Sequence, residues 1–106
     1  YWTLVNATGS EFPEIQRDRI RNRLAIASSS DLRKWTVHEV LLSHLDPQKH
    51  GFQYVEWQIE GNDIVYVVRT AFDDDEGCAA NYHNTNYMTF HRLENFRTLA
   101  AKTSTL

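Results

Sequence analysis

The residues of this chain best suited to chemistry stand in three short polar stretches of its second half. These residues are His50, Gln53 and Tyr54, then Arg69, and finally His83 and Asn86. An imidazole titrates near neutral pH and can give or take a proton, which makes His50 a candidate general acid or base. His83 and Asn86 stand in a loop of small and polar residues whose side chains suit recognition of a polar ligand.

Arg69 ends an otherwise apolar stretch that begins at Ile64. A guanidinium in such a strand is costly unless it is paired or bound to a ligand. We therefore expect Arg69 to contact the carboxylate or hydroxyls of a ligand, or else to form an ion pair with Asp73, Asp74 or Glu76.

The acidic run 73–76 offers oxygen ligands but lacks the spaced pattern of a calcium-binding loop. Cys78 is the single cysteine, which excludes an internal disulfide and a thiolate metal cluster. The sequence therefore predicts no metal and no other cofactor.

The elements that must position these residues are strands. Short apolar or alternating runs, separated by turn signals, predict six of them: 1–6, 23–28, 35–42, 52–60, 64–71 and 86–93. A helical alternative stays open for 37–46, and no other segment favours a helix. Residues 9–21 and 73–85 read as long loops. The chain is predicted to be all-β, with 64–71 as a central strand that is apolar on both faces.

Composition and charge exclude several classes of protein. The 106 residues carry a formal net charge of −3, which argues against nucleic acid as the main partner, because phosphate binding depends on an excess of Lys and Arg. No apolar run approaches the roughly 18 residues that a membrane span needs. A hydrophobic content of 42% is enough for a packed core.

Residues 23–97 resemble the sialidase-like superfamily of β-propellers, whose blades carry Asp boxes, also called BNR repeats. The matching motifs are Ser29-x-Asp31-Leu32-x-x-Trp35, His50-Gly51-Phe52-Gln53-Tyr54, Arg69-Thr70-Ala71 before an acidic turn, and His83-x-x-Asn86-Tyr87-x-Thr89-Phe90-His91. The usual box is Ser-x-Asp-x-Gly-x-Thr-Trp. Here the spacing from Asp to Trp is one residue shorter, and Arg33 stands at the Gly position.

The resemblance implies the C-terminal part of a propeller with five to seven blades, of which this chain would cover the last one and a half. Residues 1–45 would be strands of the penultimate blade, 50–97 the last blade and 98–106 a tail. The rest of the propeller would be its partner and would supply the missing outer strand. Ser29 and Asp31 would be structural, with Trp35 anchoring their turn in the core.

The resemblance also implies an exo-acting glycoside hydrolase that removes a terminal, possibly acidic, sugar from an oligo- or polysaccharide. Tyr54 matches the sialidase nucleophile and Glu56 would lie on the same strand face, while Gln53 and Arg69 would bind the sugar with His83 and Asn86. The other catalytic groups would come from blades outside this chain, so the chain alone would be inactive.

Two alternatives stay open. One is a propeller polysaccharide lyase acting on uronate glycans, in which His50, Tyr54 and Arg69 serve equally well. The other is a non-catalytic carbohydrate-binding module that stands alone as a small β-sandwich. All three readings have a carbohydrate ligand, and the resemblance to bacterial secreted proteins implies an extracellular or periplasmic location.

Overall fold

The computed structural model describes residues 1–7, 14–15 and 20–100. Two three-stranded antiparallel sheets dominate this part of the chain, which is all-β. The strands are β1 (Trp2–Asn6), β2 (Arg23–Ser28), β3 (Thr36–Ser43), β4 (Gly51–Glu60), β5 (Asp63–Ala71), β6 (Asp73–Asp74), β7 (Gly77–Cys78) and β8 (Tyr87–Leu93). The six predicted strands are confirmed, while the loop predicted for 9–21 lies mostly outside the described residues.

The first sheet, sheet A, is a meander in the order β1-β2-β3. Its middle strand β2 holds a short continuous apolar run that is buried from Leu24 to Ala27, as expected of a strand covered on both faces. Strand β3 pairs along β2 with two register shifts and ends at Ser43, and residues 44–46 form a loop, so the helical alternative for 37–46 is wrong.

The second sheet, sheet B, has the order β4-β5-β8. A tight turn joins β4 to β5, and Gly61 adopts a φ of +62° there, which a residue without a Cβ reaches at little cost. Strand β5 is central, as predicted, and its residues Ile64 and Val68 are fully buried.

The two sheets share one hydrophobic core between their inner faces. Its buried members are Leu24, Ile26, Phe52, Ile64, Tyr66, Val68 and Phe96. Phe96 reaches this core from the turn that follows β8, where the Trp2 ring meets it edge-on at 5.0 Å. A polar bond also joins the sheets, because Asn6 Nδ2 donates to the Phe52 carbonyl at 2.9 Å.

Three features differ from the sequence-based expectations. The long loop predicted for 73–85 contains the small hairpin β6–β7, with Gly77 at a φ of +125° in its turn. A short helix begins at Thr98, although none was expected. Trp35 does not anchor its turn in the core but stays 41% exposed. Hydrogen bonds to the Ser29 and Asp31 side chains hold that turn instead.

The turn between β2 and β3 is closed by the Ser29 and Asp31 side chains. Ser29 Oγ accepts from the Leu32 N–H at 2.8 Å, and Asp31 Oδ1 accepts from the N–H groups of Arg33 at 2.9 Å and Lys34 at 3.0 Å. The Lys34 bond, followed by those from Arg33 and Ser29, lowers the pKa of the Asp31 carboxyl. The structural role expected for both residues therefore has a physical cause.

This lowered pKa predicts how the turn responds to acid. A carboxyl whose pKa is depressed by folding stabilises the native state above its unfolded value of 3.8, and that stabilisation is lost as the pH falls through the folded value. Urea unfolding at about pH 6 should therefore show Asp31→Asn to be less stable than wild type, and the difference should shrink at about pH 2.5.

The matched control is Asp75→Asn, since Asp75 is exposed and makes no hydrogen bond to another described residue. Its stability should stay close to that of wild type at the higher pH. If the difference in the free energy of unfolding between Asp31→Asn and wild type were the same at the two pH values, the proposed role of the Asp31 charge would be contradicted.

Candidate functional site

A β-bulge interrupts the pairing of β4 with β5. The register passes from the pair Gln53 and Arg69 directly to the pair Glu56 and Val67, so β4 carries one extra residue over this interval. Tyr54 lies inside the bulge with a φ of +50°, in the left-handed region. Such a backbone costs an L-residue with a Cβ about 1–2 kcal/mol.

The bulge reverses which side chains of β4 face the core. Before the bulge Phe52 points inward, whereas after it Val55 and Trp57 pack against the same core. Strict alternation would have placed Tyr54 on the side of Phe52. The Tyr54 side chain is instead 69% exposed, and bulges that re-aim a side chain in this way are common next to active sites.

Tyr54 contacts Arg69, which lies two residues from Val67 on the outer face of sheet B, so Glu56 shares a strand face with Tyr54 as expected. Glu56 pairs with Val67 on the outer face of sheet B. Among the described residues, no hydrogen bond joins Glu56 to the Tyr54 phenol.

Tyr54 meets two of the other predicted site residues. The Arg69 guanidinium lies 5.4 Å from the centroid of the Tyr54 ring, in a cation–π arrangement, and its Nε donates to Thr85 Oγ1 at 2.9 Å. The His83 ring approaches the Tyr54 ring edge-on, with 6.4 Å between centroids. We call Tyr54, Arg69, His83 and Thr85 the Tyr54 patch.

Arg69 retains unused donors in this patch. Arg69 takes part in none of the ion pairs found between described residues. The ion pairs that the sequence left open for it, with Asp73, Asp74 or Glu76, are therefore not formed. This half-buried guanidinium is fixed through Nε, and its terminal amino groups bond to no described residue. It is therefore well suited to bidentate contact with a carboxylate.

Gln53 holds the loop that carries His83. The Gln53 side chain is buried, and its Nε2 donates to the Tyr82 carbonyl at 2.5 Å. Asn81 Oδ1 then accepts from the N–H groups of His83 and Asn84 at 2.9 and 2.8 Å, a side-chain turn that fixes the local backbone. Gln53 therefore positions the Tyr54 patch, with its amide nitrogen already engaged.

Asn86 fastens the loop after β5 in a similar way. Its Nδ2 donates to the Phe72 carbonyl at 2.9 Å and to Asp74 Oδ2 at 2.8 Å, while its Oδ1 accepts from the Phe72 N–H at 3.1 Å. Both donor hydrogens and one acceptor position are thus used within the protein. Asn86 therefore fixes the backbone at the edge of the site, and few of its polar groups remain for a ligand.

His50 is buried with an exposure of 4%, and both of its ring nitrogens face carboxylates. Nδ1 lies 3.1 Å from Asp46 Oδ2 and Nε2 lies 2.8 Å from Asp73 Oδ1. The ring stacks on that of His44, and both rings meet Phe72 edge-on. These contacts separate His50 from the Tyr54 patch and make it part of a second polar cluster.

Three hydrogen bonds hold the Asp46 carboxylate in that second cluster. Burial acts to raise the pKa of this carboxyl, but hydrogen bonds from the Gln48 N–H, the His50 ring and the Lys49 N–H outweigh this effect. The pKa of Asp46 consequently lies below its usual value, and the carboxylate form persists beside His50.

Sequence reasoning missed His44, Asp46 and Thr85. The spacing of His44, Asp46 and His50 across the Asp46-Pro47 turn was the available signal for the first two, because a turn between two histidines can bring their rings together. Thr85 has no comparable signal, since its contact with Arg69 depends on the path of the whole 79–86 loop.

No family model, curated protein or solved structure matches this chain. Among the described residues, no helix has the length and apolar character needed to cross a bilayer.

Strain at Tyr54 can be tested through stability. Tyr54→Gly should relieve the left-handed backbone and leave the free energy of unfolding unchanged or raised by about 1 kcal/mol. Tyr87→Gly, which removes a tyrosine at the start of β8 with no positive φ, should lower stability because glycine is unfavourable in a strand. Urea denaturation of both variants provides the comparison, and an equal loss in both would argue against strain at Tyr54.

Proposed function

We propose that this chain belongs to a sialidase-like β-propeller and supplies the acidic-sugar-binding part of an exo-acting glycoside hydrolase. The observation that carries the proposal is the pairing of a strained, exposed Tyr54 with an Arg69 whose terminal amino groups bond to no described residue. Backbone strain concentrates at functional sites, and a guanidinium fork beside a phenol suits an anionic sugar ring.

The outer face of sheet B supports the propeller assignment. Val67 faces outward on β5 and pairs with Phe90 of β8, and Met88 lies on the same face of β8; Met88 and Phe90 have exposures of 70% and 67%. Apolar surface of this kind marks a place where another protein layer packs. In a propeller this face would contact the neighbouring blade, and β8 would pair with a fourth, outer strand.

The outer face of sheet A has the same character. Val5 pairs with Ala25 and Val40, and Ala27 pairs with Val37, so these five side chains share one face. The three valines are exposed. Blades of a propeller are covered on both sides, whereas a stand-alone sandwich keeps its outer faces polar. This contrast favours the propeller over a separate carbohydrate-binding module.

In the proposed hydrolysis, Arg69 binds the sugar carboxylate and orients the ring over Tyr54. Tyr54 Oη attacks the anomeric carbon as its proton passes to a base, the glycosidic C–O bond breaks, and the leaving oxygen takes a proton from an acid on another blade. Water then cleaves the tyrosyl–sugar bond and restores the phenol. His83 borders this space, and Gln53 and Asn86 hold the surrounding loops.

We omit His50 from this chemistry, although its type made it a candidate, because it is buried and both ring nitrogens are engaged by Asp46 and Asp73. A polysaccharide substrate would place the protein outside the cell or in the periplasm.

The contact between His83 and Tyr54 favours a second candidate, a uronate lyase. His83 would remove the proton α to the carboxylate that Arg69 neutralises, the C4–O bond would break to form a C4–C5 double bond, and Tyr54 would protonate the leaving oxygen. The unsaturated product absorbs in the ultraviolet, which distinguishes it from the product of hydrolysis.

Substitution of Arg69 tests the shared core of both candidates in the full propeller protein. Arg69→Lys keeps the charge but loses the bidentate fork, so kcat/KM for an acidic-sugar substrate should fall by about 10²-fold. Activity on the matched neutral-sugar substrate should change little. The measurement is steady-state kinetics on paired uronide and hexoside substrates.

Arg92→Lys is the control, because Arg92 already forms ion pairs with Glu60 and Asp63 at the other end of sheet B. It should leave both activities near wild type. Equal effects of Arg69→Lys on acidic and neutral substrates would contradict carboxylate binding. Cleavage of an aryl glycoside by the isolated 106-residue chain would contradict the need for groups from other blades.

A further inference from the structure

We propose that His44, His50 and Asp73 form a binding site for a divalent transition metal, with zinc as the best match. One ligand atom from each residue lies within 4.8 Å of the others. Two imidazoles and one carboxylate make a donor set that zinc prefers and that calcium and magnesium do not. Nothing in the proposed sugar chemistry uses these residues.

The distances in this cluster suit a tetrahedral cation. His50 Nε2 lies 2.8 Å from Asp73 Oδ1, and His44 Nε2 lies 3.8 Å from Asp73 Oδ2. Zinc bonds of 2.0–2.1 Å at tetrahedral angles place neighbouring ligand atoms about 3.3 Å apart. The ion would take the place of the proton between His50 and Asp73, with shifts of about half an ångström in these distances and a tilt of the two stacked rings so that their nitrogen lone pairs converge on it.

Asp46 supports His50 from behind. Its Oδ2 lies 3.1 Å from His50 Nδ1, which orients that ring with Nε2 toward Asp73, as a carboxylate behind a zinc-bound histidine does. The Asp46 N–H also donates to His44 Nδ1 at 3.0 Å. A neutral His44 ring therefore carries its proton on Nε2, and metal binding must move that proton to Nδ1 and release the bond from Asp46.

The position of the cluster suggests what the ion would do. His44 follows β3 of sheet A, His50 precedes β4 of sheet B, and Asp73 opens β6, so one ion would tie the ends of both sheets together. The two rings are stacked, with 3.4 Å between centroids, and packed on Phe72, which holds them in place. Asp73 and His44 are partly exposed, which leaves a path for the ion and a fourth position for water.

Titration of the purified chain with Zn²⁺ by calorimetry, and with Co²⁺ by visible absorption, tests this site. Wild type should bind one ion, show the strong visible bands of tetrahedral Co²⁺, and gain thermal stability with Zn²⁺. Asp73→Asn should weaken Zn²⁺ binding by at least about tenfold. Asp75→Asn, a charge-matched change two residues away, should bind as wild type does.

A second pair of variants keeps the test decisive if Asp73→Asn folds poorly. His44→Gln should also weaken binding, whereas His83→Gln, which changes an exposed histidine outside the cluster, should not. Absence of Zn²⁺ binding to wild type would overturn the proposal. Equal binding by Asp73→Asn and Asp75→Asn, or a loss confined to His83→Gln, would overturn it as well.

Discussion

The bulge in β4 reconciles two demands that a regular strand cannot meet together. Phe52 must face the core that the two sheets share, and so must Val55 and Trp57. In strict alternation Val55 and Trp57, three and five positions after Phe52, would lie on the opposite face. One extra residue solves this conflict, and the left-handed backbone at Tyr54 is its local cost. The exposed phenol is therefore a consequence of how the core is packed.

The bulge also explains why the polar groups gather where they do. Arg69 pairs with Gln53 just before the irregularity, and Gln53 anchors the loop that brings His83 and Thr85 to the same place. Farther along the outer face of sheet B the side chains become apolar. A neighbouring blade packed on that apolar part would leave the Tyr54 patch at the edge of the contact, where groups from both blades can meet.

The ends of the sheets are joined by polar contacts. Asn6 donates to the Phe52 carbonyl, and the stacked His44 and His50 rings lie between Asp46 and Asp73 close to the same strand ends. In a chain this small, such contacts fix the relative position of two sheets whose outer faces carry exposed apolar side chains. A metal at the histidine cluster would strengthen the same junction without altering the Tyr54 patch.

The strands were predictable because each is a short apolar run bounded by turn residues, and the ends of all six agree within one residue. The Ser29–Asp31 turn was predictable for the same local reason. The exposure of Trp35 could not be predicted, because it depends on which other parts of the protein cover the turn. The phase change in β4 left a trace in the sequence, since Phe52, Val55 and Trp57 break the period of two. The contact of His50 with Asp73 was hidden, because it joins residues 23 positions apart along the chain.

The central claim is that the Tyr54 patch binds an acidic sugar through Arg69. The most direct measurement is a titration of the arginine-¹⁵N-labelled chain with a uronic acid and with the matching neutral hexose, followed through the Nε–Hε signals by NMR. The account predicts that the Arg69 signal shifts in saturable fashion with the uronic acid only, while the Arg92 signal stays in place. Equal shifts with both sugars, or no shift of the Arg69 signal, would contradict it.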